Sequence, residues 1–328
     1  MYISEFLRHQ IGFQSDSSDL QALDKLAGSS VGNVTFYDSF DDCVAHIQPW
    51  MPIYFFPIGS ESGFEIGIHL RPSDIASKRF AIIRALDESA MIEVGLSLDH
   101  YIFRCLATYE GYVNEGDSLP SFEASVSLAN RIFCKDFYQP GSYGDFISEE
   151  SEEVASKIFG KSPFLYHESA LFEDDVQNKF KILQEGIAAE PGCMVLYTDA
   201  AESYYKFKNY EQAAQMLVKS LKCFHHTAYS TDIEKYYEMG RALLQIVPEA
   251  FSEEAIGYLN ITDDKERVLF TGEPYQDGNL VEGAKRLCDL CHYMGNYNNN
   301  ISFNALKKIY SELGWKWALA LCDLRSSS

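Results

Sequence analysis

The sequence predicts an α+β fold in which a small antiparallel sheet with flanking helices is followed by an all-α domain of repeated helices. Apolar and polar residues alternate over residues 64–70 and 92–98, which is the period of half-buried strands. In the second half, apolar residues recur at helical spacing instead. A segment rich in Pro, Gly and Ser near Gly141 separates the two patterns, so the predicted domains are residues 1–140 and 141–328.

The first domain is predicted to begin with short helices and to end with a longer one. One helix follows Asp19 and another follows Ser39, since both residue types favour a helix N-terminus. Apolar runs over residues 53–58 and 80–86 add two more strands. The connections between strands are too short for helical crossovers, so we expect antiparallel pairing. The closing helix starts at Asp99, which we expect to cap it.

Four motifs in this region resemble one known superfamily. They are Phe56-Pro57-Ile58-Gly59, Gly63-Phe64-Glu65-Ile66, the strand from Met91 to Leu98 and the helix from Tyr101 to Tyr109. Their order is similar to that of the SUKH superfamily, a small α+β domain with N-terminal helices, a compact sheet and a closing helix. Many members look like immunity proteins that bind and neutralise a secreted bacterial toxin. The resemblance implies the same role here.

Residues 197–221 read as two short amphipathic helices folded back on each other. Ala201 is followed by Tyr204, Ala213 and Leu217, which stand three, twelve and sixteen positions later. This spacing resembles the tetratricopeptide (TPR) repeat, in which small residues let two helices approach closely. A second, degenerate repeat is predicted one period earlier, and the pattern decays towards the end of the chain.

The repeat pattern also predicts a binding surface. Stacked helix pairs form a curved inner wall from first-helix residues that are not used in packing. Thr198, Glu202 and Tyr205 occupy such positions and are candidate partner-binding residues. Tyr205 is the best anchor among them, because aromatic side chains bury a large area at low entropic cost.

Charge restricts the class of partner. The chain has 27 basic and 48 acidic residues and a net charge of −21, which opposes nucleic-acid binding and favours a basic protein such as a toxin domain. An acidic run over residues 148–153 either contacts that partner or is a solvated helix start favoured by the helix dipole. Its candidate binding residues are Glu149, Glu150, Glu152 and Glu153.

We expect a cytoplasmic protein that does not bind membranes. The first thirteen residues lack a basic stretch followed by an apolar core, and no run approaches the roughly eighteen apolar residues of a membrane span. The eight cysteines lie in apolar helical or strand-like contexts, which is typical of small core residues in a reducing compartment.

Motifs that would indicate catalysis or a bound cofactor are incomplete. Cys288-Asp289-Leu290-Cys291-His292 matches the attachment pattern of c-type haem, but the same residues fit a helical core face. His167-Glu168 begins like a zinc-protease helix, yet Leu171 stands where the second His is required. We therefore predict no catalytic residue, no metal site and no cofactor.

Two functions remain open at this point. The first is a non-enzymatic immunity protein that blocks a cognate toxin by stoichiometric occlusion. The second is a TPR scaffold or adaptor that recruits a peptide segment of a cellular partner.

Overall fold

The computed structural model describes residues 2–13, 18–48, 51–86, 90–116, 121–229, 233–260, 279–293 and 300–327. Six strands form one sheet in the order of the sequence, and every neighbouring pair is antiparallel. The predicted α+β class with an N-terminal antiparallel sheet is therefore confirmed. The strands are β1 (Ser30–Val31), β2 (Val34–Phe36), β3 (Phe55–Glu61), β4 (Phe64–His69), β5 (Ile82–Leu86) and β6 (Ala90–Gly95).

Strand β3 pairs on both sides although it contains Pro57, which cannot donate a ladder hydrogen bond. The register with β4 shifts between Pro57 and Gly59, so a bulge accommodates the proline. At Gly59 a Cβ atom would lie 2.5 Å from the carbonyl oxygen of Thr35 in β2. The absence of a side chain there allows the two strands to approach.

Helices cover the sheet, and serine side chains cap two of them. The Ser39 hydroxyl accepts a hydrogen bond from the Asp42 amide at the start of the second predicted helix. The closing helix is capped by Ser97, not by Asp99 as predicted, because Ser97 is the extended residue whose hydroxyl accepts from the His100 amide. The helices are α1 (Ile3–His9), α2 (Ser18–Leu26), α3 (Phe40–Ala45), α4 (Pro72–Ser77), α5 (Leu98–Asn114) and α6 (Phe122–Ile132).

The rest of the described chain is helical, with short 3-10 turns at Ser148–Glu150, His225–Ala228 and Pro248–Ala250. Consecutive helices pack in pairs, including the pair predicted around residues 197–221. The helices are α7 (Ser151–Phe159), α8 (Pro163–Leu171), α9 (Val176–Ala189), α10 (Met194–Lys206), α11 (Tyr210–Ser220), α12 (Ile233–Ile246), α13 (Glu253–Asn260), α14 (Leu280–Tyr293), α15 (Asn300–Glu312) and α16 (Lys316–Ser327).

The main hydrophobic core continues across the predicted boundary at residues 140 and 141. Buried residues of α14, α15 and α16 belong to the same cluster as the buried residues of the sheet. The Tyr54 hydroxyl lies 2.6 Å from that of Tyr310 in α15. A separate cluster forms between helices α10 to α13. The last three helices therefore pack against the N-terminal part of the chain.

Asp19, in the first turn of α2, is buried beside the start of α5. Burial raises the pKa of its carboxyl to about 7, and the charge of Asp99 adds to this effect. Hydrogen bonds from the Leu98 and Asp99 amides to the carboxyl oppose the shift. Asp19 is therefore partly protonated near neutral pH, whereas an unfolded Asp is ionised well below it.

Replacing Asp19 by Asn should flatten the pH dependence of stability. The folded protein holds a proton on Asp19 between about pH 4 and pH 7 that the unfolded chain releases, so its unfolding free energy falls as the pH rises through this range. Asp19→Asn keeps an acceptor oxygen and should gain about 4 kcal/mol relative to the parent from pH 4 to pH 8, because about three pKa units separate the folded and unfolded carboxyl. Urea unfolding at several pH values measures the difference. The exposed Asp136→Asn is the control, and parallel profiles for parent and Asp19→Asn would contradict the assignment.

Candidate partner-binding site

The predicted wall of α10 is only partly accessible. Thr198 is fully buried, and its hydroxyl donates to the Val195 carbonyl oxygen at 2.9 Å. The prediction that Thr198 lies on an exposed wall is wrong, because α10 is packed between two hydrophobic clusters and not one. Tyr197 and Ala201 belong to one cluster, whereas Val195 and Leu196 belong to the other.

The other two wall residues keep partial exposure. Glu202 Oε1 accepts from Lys206 Nζ at 2.9 Å and lies 3.5 Å from Lys235 Nζ. Burial alone would raise the pKa of Glu202, but the two lysines outweigh it and lower the pKa. The Tyr205 ring lies edge-on to Tyr210, with ring centroids 5.6 Å apart. Two lysines of the same chain therefore neutralise part of the Glu202 charge. Tyr205 exposes only part of its ring to solvent.

The acidic run divides into exposed and buried residues. Glu149, Glu150 and Glu153 are exposed around the 3-10 turn and the start of α7. Glu152 is buried, so the prediction that it faces solvent is wrong. Its Oε1 accepts a hydrogen bond from the Ser162 hydroxyl at 2.7 Å. Glu152 is buried because its side of α7 packs against α5.

Glu152 belongs to a buried polar network that joins β3, α5 and α7. Arg104 Nη2 lies 3.4 Å from Glu61 Oε1, and Arg104 Nε lies 3.7 Å from Glu152 Oε2. The Tyr101 hydroxyl donates to Glu61 at 3.2 Å. Burial lowers the pKa of His100 to about 4, with help from the Arg104 charge, and its Nδ1 accepts from the Leu96 amide. The network places these side chains in the interior of the protein.

A second buried network joins α4 and β6 to the segment before α10. Arg71 donates to Asp74 at 2.9 Å and to Glu190 at 3.1 Å. Arg79 bonds both Glu190 and Glu93. Burial raises the pKa of Glu93, whereas the Arg79 charge acts in the opposite direction. Sequence analysis missed this network, because its partners come from distant positions with no characteristic spacing.

A surface pocket of about 330 Å³ opens where α1, α2 and α3 meet. Its apolar lining includes the buried side chains of Ile3 and Phe40, together with Tyr2, which is 66 % exposed. Ala27 and Ser39 also line the pocket. The carboxylates of Glu5, Asp24 and Asp38 complete the lining.

Local hydrogen bonds orient two of these carboxylates, and a close approach to Gly28 places the third. Glu5 accepts from the Tyr2 amide at 3.1 Å, and Asp24 accepts from the Ser4 amide at 3.2 Å. Asp38 lies against Gly28, where a Cβ atom would overlap its carboxylate and the backbone has a positive φ of 69°. Glycine at position 28 thus leaves room for Asp38.

The pocket combines negative charge with an apolar surface. Its lining holds three acidic residues and no basic one. Among the described residues, no group of three or more His, Cys, Asp or Glu side chains is placed to hold a metal ion. The three carboxylates therefore do not form such a group, and a larger cationic group suits them better. No sequence pattern predicted this site, since only the packing of α1, α2 and α3 brings the three carboxylates to one pocket.

Comparison with known protein families, curated proteins and solved structures finds no match to this chain. Every helix in the part of the chain that the structure describes is too short or too polar to cross a lipid bilayer.

Proposed function

We propose that this chain is a non-enzymatic, cytoplasmic protein that binds a basic protein partner and blocks it by stoichiometric occlusion, as a bacterial immunity protein does. The observation that carries the proposal is the acidic surface. The net charge is −21, and the pocket between α1, α2 and α3 concentrates three carboxylates over an apolar lining. Such a surface attracts a cationic partner over a distance and offers it an apolar contact.

The burial of several reactive side chains in the described part of the chain favours binding over catalysis at those positions. Cys193 is buried, and burial raises the pKa of its thiol. His100 is fully buried and holds the Leu96 amide. Glu61 and Glu93 belong to the internal networks. A substrate in solvent would not reach these groups without opening the fold.

The order of elements in the N-terminal part also supports the proposal. Helices α1 and α2 come first, the antiparallel sheet follows with α3 and α4 between its strands, and α5 closes the unit. The resemblance to the SUKH superfamily implies N-terminal helices, a compact sheet and a closing helix in this order. We infer that α9, α10 and α11 belong to a TPR-like array that enlarges the surface offered to the partner. The full burial of Ala201 and Ala213 where α10 and α11 pack supports this inference.

An adaptor that recruits a peptide on the wall of α10 is the second candidate. The half-exposed Glu202 and Tyr205 favour it. Burial of Thr198 leaves fewer accessible residues on that wall. The ion pairs of Glu202 with two lysines reduce the negative charge that it offers to a partner. Replacing both Glu202 and Tyr205 by Ala should abolish partner capture if the adaptor function is correct, and should leave it unchanged if the acidic pocket is the contact.

The test of the main proposal uses the full chain as bait in the native lysate, followed by calorimetry with the purified partner. We expect one basic protein, a 1:1 complex and sub-micromolar affinity. Affinity should fall about tenfold or more from low to high salt, because the charges that attract the partners are screened. The captured protein should lose its own activity in the complex. An acidic partner, or affinity that does not respond to salt, would contradict the proposal.

A further inference from the structure

The pocket between α1, α2 and α3 points to one chemical group on the partner. We propose that it receives a single arginine side chain, with the guanidinium group at the carboxylates and the methylene stem on the apolar lining. The inference rests on the proposed function, since it assigns the residue through which a basic partner would engage this chain.

The size of the pocket suits one side chain. Its volume of about 330 Å³ lies near the lower end of the roughly 300–1,000 Å³ typical of ligand pockets. Binding of a helix or an extended segment requires an elongated groove, whereas binding of one side chain requires only a small pocket. The contact would therefore be one inserted residue within a wider interface.

The apolar lining is fixed before the partner arrives. Phe40 packs against Phe6 with ring centroids 4.8 Å apart and against Phe56 at 6.0 Å. Ile3 is 3 % exposed and belongs to the same core. Because this apolar surface is already ordered, binding a methylene stem carries no entropic cost for ordering the pocket.

The carboxylates fit a guanidinium group. Glu5 accepts one hydrogen bond, from the Tyr2 amide, and Asp24 accepts two, from the amide and the hydroxyl of Ser4. Both keep further acceptor positions, because a carboxylate accepts about four hydrogen bonds. Asp38 is exposed. A guanidinium has five donors and can bond carboxylates on more than one side of the pocket.

Arginine fits better than lysine for two reasons. The planar guanidinium is less strongly hydrated than an ammonium group, so it loses less on entering a partly apolar pocket. It also stacks on aromatic faces, and the exposed residue Tyr2 is part of the pocket lining. The basic residues Arg8 and Lys25 of α1 and α2 are exposed and do not line the pocket.

The experiment titrates the full chain with N-acetyl-arginine amide while backbone amide shifts are followed by NMR. N-acetyl-citrulline amide is the matched probe, since it keeps the shape and removes the charge. N-acetyl-lysine amide tests the other cation. We expect saturable shifts at pocket residues such as Glu5, Ala27 and Asp38, and affinity about tenfold higher for arginine than for citrulline. Equal binding of arginine and citrulline, shifts elsewhere, or tighter binding of lysine would overturn the assignment.

Variants tie the result to the pocket. Asp38→Asn and Glu5→Gln should each weaken arginine binding several-fold, whereas Glu238→Gln at an exposed position of α12 makes the same charge change and should have no effect. Weakening by all three variants equally would indicate net charge alone and overturn the site. If the probes fail while a basic partner still binds 1:1, the pocket assignment falls and the proposed function stands. If arginine binds and the captured partner is acidic or insensitive to salt, the reverse holds.

Discussion

Replacing Arg71 by Met is expected to lower the free energy of unfolding by about 3–5 kcal/mol, which is the usual cost of removing one partner from a buried ion pair. Arg71 is 1 % exposed and donates to Asp74 and Glu190. Methionine fills most of the space but donates nothing. The two carboxylates would then remain in the interior with Arg79 as their remaining cation in the network.

Chemical unfolding of the parent and Arg71→Met measures this loss. Arg131→Met removes an exposed charge from α6 and should change stability by less than about 0.5 kcal/mol. Adding Glu190→Gln to Arg71→Met should recover part of the loss, because it removes one of the stranded charges. A loss below about 1 kcal/mol for Arg71→Met, or no recovery in the double variant, would show that the network contributes little to stability.

The sequence predicted the four longer strands, since alternation marks β4 and β6 and apolar runs mark β3 and β5. Strands β4 and β6 occupy most of residues 64–70 and 92–98. Most of their apolar side chains belong to the main core, whereas the alternating polar residues His69 and Glu93 are also buried, so the period is present although both faces are covered. Strands β1 and β2 escaped prediction, since two and three residues are too few to show a period. They exist because β2 pairs with β3, and such pairing is invisible in a local window.

The candidate binding residues show the same limit. Thr198 and Glu152 are polar and lie where an isolated helix would expose them, but a second packing surface covers each one. Helical spacing identifies one buried face and cannot reveal a further neighbour. The pocket depends on contacts of this kind too. Asp24 and Asp38 carry no motif, and only the packing of α1 to α3 brings them to one opening.

The division into two domains rested on the change of pattern near Gly141. The change is real, since the sheet lies before it and helices follow. Pattern does not show where the helices pack, however. Helices α14 to α16 contribute to the same core as the sheet, and Arg325 Nη2 donates to the Phe55 carbonyl oxygen at 3.2 Å. The last three helices thus help to stabilise the N-terminal sheet.

Ending the chain after Gly314 is therefore expected to destabilise the sheet as well as the last helices. The deletion removes α16, whose Ala318, Leu321 and Cys322 are almost fully buried in the shared core. Loss of one large core side chain costs about 2–5 kcal/mol, so loss of the whole helix should approach the 5–15 kcal/mol that stabilises a typical protein. Circular dichroism and limited proteolysis should show an unfolded or loosely folded N-terminal part.

A milder variant keeps the test informative if the truncated chain does not accumulate. Leu321→Ala in the full chain should cost about 2–5 kcal/mol and lower the protection of β3 and β4 in hydrogen exchange. Leu171→Ala makes the same substitution at a leucine that is 61 % exposed and should cost less than about 0.5 kcal/mol. If the sheet keeps its protection in Leu321→Ala while only α14 to α16 open, the two parts unfold separately. Loss of protection in both parts together would mean that the acidic pocket is also supported by the C-terminal helices, because Ile3 and Phe40 belong to the core that those helices share.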